Sequence, residues 1–182
     1  AGLDPLGLEL TQRHKGLEIY EIDREQMPIK AGLINIPNLH LIACDLAYTT
    51  NVIEKLKQSG WQQDEPTFLV MEGISYYLTR DILRNFVTTI KPRYAIFDHL
   101  RESGMNEAAD LIGSNVFDLI RDYIKMDKMQ RYNALSLSEL LEMKIIKNWS
   151  LCAMEHQRKG QNIHFPSDDF GWVDVTAFES KG

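Results

Sequence analysis

The sequence predicts an α/β fold on a largely parallel sheet, finished at one edge by an antiparallel pair. Two observations predict it. Four short apolar runs alternate with helix-period patterns in the first hundred residues, and each run leads into a carboxylate. Two further strand-like runs, separated by a polar stretch, close the chain.

The first strand is read at Leu17 to Ile22, "LEIYEI", where apolar residues alternate and Glu21 and Asp23 mark the end. The second is Leu39 to Cys44, leading to Asp45. Thr67 to Met71 is the third, leading to Glu72, and Tyr94 to Phe97 is the fourth, leading to Asp98. Val52, Ile53, Leu56 and Trp61 lie at the spacing of an amphipathic helix, with Thr50 or Asn51 as cap and Gly60 as stop. Ile82, Leu83, Phe86, Val87 and Ile90 make a second, capped by Thr79 and ended before Pro92. Strands joined through helices run parallel and are covered on both faces, so these strands are expected to be buried.

Residues 106–126 read as a long helical stretch, broken near Gly113. Ser136 or Ser138 caps a short helix over "SLSELLEMK", and Glu139 completes a capping box if Ser136 is the cap. Trp149 to Glu155 and Gly171 to Phe178 are the two closing strands, expected as an antiparallel hairpin. With 182 residues, no repeat and no low-complexity linker, the expectation is one domain spanning 1–182.

Bulk chemistry narrows the partners. The formal charge is −6, which disfavours a nucleic-acid backbone, since phosphates call for a basic face. No apolar stretch is long enough to span a bilayer, so no membrane partner is expected. Cys44 and Cys152 lie far apart without Cys-x-x-Cys spacing, which argues against a disulfide framework or a zinc site and favours a reducing, cytoplasmic setting. His14, His40, His156 and His164 are scattered without metal-ligand spacing, so no metal is expected.

The carboxylates carry the functional signal. In an open parallel sheet, ligands bind beyond the carboxyl ends of the strands. An acid roughly 20 residues after a glycine turn can accept hydrogen bonds from both ribose hydroxyls. Here the turn is "AGLD", with Gly2 and Asp4, and Glu21 and Asp23 fall at that distance. One such acid is as readily a solvated loop residue or a helix cap. Four in series on one sheet edge are harder to assign to chance.

Together, "AGLDP", "YEIDRE", "ACDL" and "MEGISYYL" resemble, in order and spacing, the leucine carboxyl methyltransferase family of S-adenosylmethionine-dependent O-methyltransferases. The resemblance covers roughly the first hundred residues. It implies the class I methyltransferase fold, a Rossmann-like sandwich, with S-adenosylmethionine as cofactor and a small-molecule or carboxylate acceptor. It also implies roles. Gly2 lets the backbone approach the methionine part, with Asp4 beside it, and Asp23, with Glu21 as understudy, binds the ribose. Asp45 accepts from the adenine amine while Leu46 packs on the ring. Glu72 lies by the sulfonium end and Tyr77 faces the acceptor. Pro5 stands where the family usually has threonine, and Tyr76 where it usually has an apolar residue. The family's first strand and preceding helices are expected to stand before Ala1 in the natural protein.

Methyl transfer is an in-line displacement governed by positioning. A carboxylate acceptor arrives ionised; a hydroxyl acceptor requires a base, for which His99 is the candidate. The cations of the stretch from Glu102 to Tyr132, among them Arg121, Lys125, Lys128 and Arg131, suit an acidic acceptor or an exposed helix face equally. Two other classes share the pattern. A dinucleotide oxidoreductase uses the same second-strand acid but a complete glycine fingerprint, which this turn lacks. A non-catalytic binding protein keeps the fold without the chemistry.

Overall fold

The computed structural model describes residues 2, 4–24, 26–101, 114–123, 125, 128–161 and 171–181. They form two compact units, Ala1–Glu65 and Pro66–Gly182. The expected helical stretch over 106–126 is described as a helix at Ser114–Tyr123. Gly113, Met126 and His164 lie outside the described residues.

In the first unit, helix α1 (Leu6–Arg13) precedes strand β1 (Ile19–Asp23), followed by α2 (Met27–Leu33), β2 (Leu39–Ala43) and α3 (Thr49–Gln58). β1 and β2 pair in parallel from Ile19↔Leu39 to Asp23↔Ala43. Their carboxyl ends are therefore level, and Cys44 N–H donates to the Asp23 carbonyl at 2.9 Å. α3 buries Val52, Ile53 and Leu56, as its period requires, and Trp61 is buried just beyond it. Neither expected cap serves: the N-cap is Tyr48, without a side-chain bond, and Thr50 and Asn51 lie inside the helix. α1 and α2 were not legible as helices. α2 has only seven residues and contains Pro28 and Gly32, both poor helix formers, although proline is tolerated in a first turn.

The second unit carries β3 (Phe68–Met71), a 3₁₀ turn at Ser75–Tyr77, α4 (Arg80–Ile90), β4 (Tyr94–Leu100), α5 (Ser114–Tyr123), α6 (Ala134–Leu141), β5 (Met143–Ser150), α7 (Leu151–Lys159) and β6 (Val173–Ser180). Its sheet has the order β3-β4-β6-β5. β3 runs parallel to β4, whereas β6 is antiparallel to both β4 and β5. The sheet is thus mixed, with the expected antiparallel partnership at its C-terminal end. β4 is the buried centre. Ala95, Phe97 and His99 are wholly buried, and Phe97 meets Phe178 edge-on at 5.8 Å. α4 follows its sequence pattern closely. The Thr79 side chain accepts from Ile82 N–H, and Leu83, Phe86, Val87 and Ile90 are buried.

Three expectations are corrected. Trp149 to Glu155 is not a strand: β5 ends at Ser150, whose side chain accepts from Ala153 N–H and starts α7. β5 instead begins at Met143, inside the run read as helix. The cap of α6 is Asn133, and Ser136 is its N3 partner, each side chain bonding the other's backbone N–H. Ser138 donates to the Met143 carbonyl at 2.5 Å, joining helix to strand. Finally, β3 is only partly buried: Met71 is covered, while Phe68 and Val70 are exposed.

Candidate active site

The two acids of β1 have different fates. Glu21 is buried, with its Oε2 2.5 Å from Lys30 Nζ, and the same ammonium donates to the Asp4 carbonyl. α1 passes so close that a side chain at Gly7 would collide with this carboxylate. Glu21 therefore fastens both helices and the first turn to the strand. Asp23 stands two residues further, half-buried at the strand end. Its Oδ2 accepts from Gly2 N–H at 2.8 Å and its Oδ1 from Arg24 N–H at 2.6 Å. The glycine turn, where Gly2 has φ +48, is thus held against the acid the sequence singled out. The Asp4 carboxylate accepts from Leu6 N–H at 2.7 Å and starts α1.

Asp45 lies just past β2. Its Oδ1 accepts from Ala47 N–H at 2.9 Å, an Asx turn, and its Oδ2 is 3.5 Å from Arg24 Nη1. That exposed ion pair links the ends of the two strands and is worth little in stability. Leu46 is half-buried beside it. The structure therefore gathers Gly2, Asp23, Asp45 and Leu46 at one end of this unit and sets Glu21 beneath them.

In the second unit, Glu72 and Gly73 follow β3 and are exposed. Gly73 adopts φ +68, a backbone region that favours glycine, and turns the chain back toward β4. Its N–H donates to both Asp98 carboxylate oxygens, at 3.0 and 2.9 Å. The buried Ser75 hydroxyl donates to the Asp98 carbonyl. Burial, and secondarily the charge of Glu72, push the Asp98 carboxyl up, while the Gly73 N–H pulls it back. Tyr76 packs beside Tyr77, ring centroids 4.9 Å apart. Burial, followed by Asp98, Tyr77 and Glu72, pushes the Tyr76 phenol up to about 12, so it keeps its proton at neutral pH. Tyr77 is 54% exposed.

His99 is not in this group of exposed residues. It is wholly buried, its Nε2 lies 2.8 Å from Thr176 Oγ1, and burial pushes its basicity down. Thr176 in turn donates to Asn148 Oδ1 at 2.5 Å, and Asn148 Nδ2 donates to Asp174 at 3.0 Å. Of the cations expected to meet an acceptor, Arg121 is paired with Asp118 at 2.8 Å and Asp122 at 3.3 Å. Sequence reasoning missed Lys30, for which alternation carries no signal, and left Asp98 and Tyr76 without a role.

Parallel strand pairs alternating with helices in each unit, with the antiparallel strand β6 beside β4 in the second, are elements of the class I methyltransferase fold, and solved structures agree. A DUF574 family protein from Streptomyces avermitilis matches with TM-score 0.59 and 10% identity over 98% of this chain and 80% of its own. An S-adenosylmethionine-dependent methyltransferase from Anabaena variabilis matches with TM-score 0.62 and 11% identity over 99% and 74%. At these identities the likeness is one of fold. No curated protein matches the chain.

The family model for leucine carboxyl methyltransferase matches residues 1–91, half of the chain. The chain belongs to the leucine carboxyl methyltransferase family. It is a methyltransferase, and its cofactor is S-adenosylmethionine.

The chemistry of the donor set suits that cofactor: its ribose hydroxyls and exocyclic amine donate hydrogen bonds, and its ammonium and sulfonium are cations. In the first unit Asp23 and Asp45 are carboxylates at the ends of β1 and β2, and in the second unit Glu72 follows β3; carboxylates accept hydrogen bonds and attract positive charge.

Proposed function

We propose that the enzyme methylates oxygen, with a carboxylate of a small molecule as acceptor. The observation that carries this reading is the burial of His99, the base that a hydroxyl acceptor would call for: its ring is closed inside β4 against Thr176. An acceptor that arrives ionised requires no base. The cofactor supplies an electrophilic methyl group on sulfur. Asp23 accepts from the ribose, Asp45 and Leu46 hold the adenine, and Gly2, with Asp4 starting the helix behind it, leaves room for the methionine part. Glu72 draws the charged end, and Tyr77, exposed and beside Tyr76, lines the acceptor position. Catalysis then rests on alignment rather than on a covalent intermediate.

The net charge of −6 supports a small acceptor over a nucleic acid. We place the enzyme in the cytoplasm, supported by two buried cysteine thiols, Cys44 and Cys152. Among the described residues no helix is long and apolar enough to cross a membrane.

Incubation of the full-length enzyme with methyl-labelled S-adenosylmethionine and a small-molecule extract tests the acceptor. A carboxyl ester is expected, releasing its label as volatile methanol in mild alkali. Label that survives alkali would point to an ether, and so to a hydroxyl acceptor.

A further inference from the structure

We propose that Asp98 is a positioning residue, fixing the turn after β3 so that Glu72 is held at the strand end in one orientation. The proposal rests on the reading that Glu72 serves the cofactor. Its own support is geometric. The last β3–β4 pair is Met71↔Phe97, and one residue further each strand carries a carboxylate, Glu72 and Asp98. Asp98 grips the loop at two points. Its side chain takes Gly73 N–H on both oxygens, and its carbonyl takes the Ser75 hydroxyl. A third tie comes from Gln130 N–H to the Tyr76 carbonyl at 2.8 Å. A single N–H shared between two oxygens is the pattern of an ionised carboxylate, because a protonated oxygen would turn a hydrogen toward the donor.

The placement is unfavourable for the fold alone. Burial and the neighbouring Glu72 charge both oppose ionisation of Asp98. Across the ladder β6 sets only the apolar Val175 opposite it. With a folded value above the unfolded one, the contribution of Asp98 to stability is present below the unfolded carboxylate range and is lost as pH rises through the raised value. Near neutral pH a neutral isostere should therefore serve the fold as well as the native residue does. What the isostere gives up is the charged grip on Gly73, and with it the orientation of Glu72. A purely structural Asp98 would show the opposite pattern.

Calorimetric titration of S-adenosylmethionine into the full-length protein, Asp98→Asn, Glu72→Gln and the double variant tests this. Asp98→Asn should weaken binding about tenfold, the scale of one charged hydrogen bond, without lowering the melting temperature at neutral pH. On the Glu72→Gln background the same change should weaken binding by less than about twofold, since no charge remains at 72 to be placed. Asp98→Ser, which keeps a small oxygen acceptor, should show the same dependence on Glu72. Equal losses on both backgrounds, or a lower melting temperature with unchanged affinity, would overturn the positioning role alone. Full affinity in Glu72→Gln would overturn the reading of Glu72 and this proposal with it.

Discussion

Lys30→Met is expected to destabilise the protein by about 3–5 kcal/mol, the effect of leaving one member of a buried ion pair behind. The Lys30 side chain is 3% exposed and that of Glu21 10%. Methionine fills a similar volume but leaves the Glu21 carboxylate in a closed space against α1 with its cation gone. It also releases the Asp4 carbonyl, which the ammonium holds near the start of the chain. The double variant Glu21→Leu with Lys30→Met should recover most of the loss, because two well-packed apolar groups replace a buried pair at little net change. Calorimetric unfolding of the parent, the single variant and the double variant measures both effects. A single-variant loss below about 1 kcal/mol would show a solvated pair, as exposed pairs give.

Asp23→Ala is expected to weaken S-adenosylmethionine binding by at least about a hundredfold. In its proposed role Asp23 is a charged acceptor for two ribose hydroxyls, each bond worth roughly 1.5–3 kcal/mol. The substitution also removes the acceptor for Gly2 N–H, so the turn loses its anchor as the ribose loses its partner. Glu21 makes a useful contrast. Two residues away on the same strand, its carboxylate is closed against Lys30 and Gly7. Glu21→Gln should therefore act mainly on stability and Asp23→Ala mainly on affinity. Calorimetric titration of both variants checks this, and unchanged affinity in Asp23→Ala would remove Asp23 from the site.

The strand-end acids were legible because a parallel α/β sheet fixes where a strand must stop, and the residue beyond the last apolar position is readable directly. Thr79 and the buried stripe of α4 were legible for the same local reason: one cap and a 3.6-residue period. The division of labour between Glu21 and Asp23 was not. It depends on Lys30, nine residues on, reaching back to Glu21, and on how closely α1 passes, and neither leaves a mark on the sequence near the acids. The start of β5 was hidden because Met143, Ile145 and Ile146 continue an apolar pattern that suits helix as well as strand. Glu142, at φ +57, is where the helix turns into the strand, a conformation that sequence assigns by default to glycine. The burial of His99 was hidden for a related reason. β4 runs on to Leu100, so the histidine sits inside the central strand rather than beyond its end. Asp98 reads in the sequence as one of four similar acids; the structure sets it apart, inside β4 rather than at its end and with Gly73 N–H on both carboxylate oxygens.

The central claim is that the carboxylates at these strand ends serve a charged cofactor. Titration of S-adenosylmethionine and S-adenosylhomocysteine, separately, into the full-length protein and into Glu72→Gln tests it most directly. The variant keeps the shape and removes the charge, and only the first ligand carries the sulfonium. The expected result is a dissociation constant that rises several-fold more for S-adenosylmethionine than for S-adenosylhomocysteine, with the melting temperature unchanged. Equal losses for the two ligands, accompanied by a lower melting temperature, would contradict it and make Glu72 a residue of the turn rather than of the site.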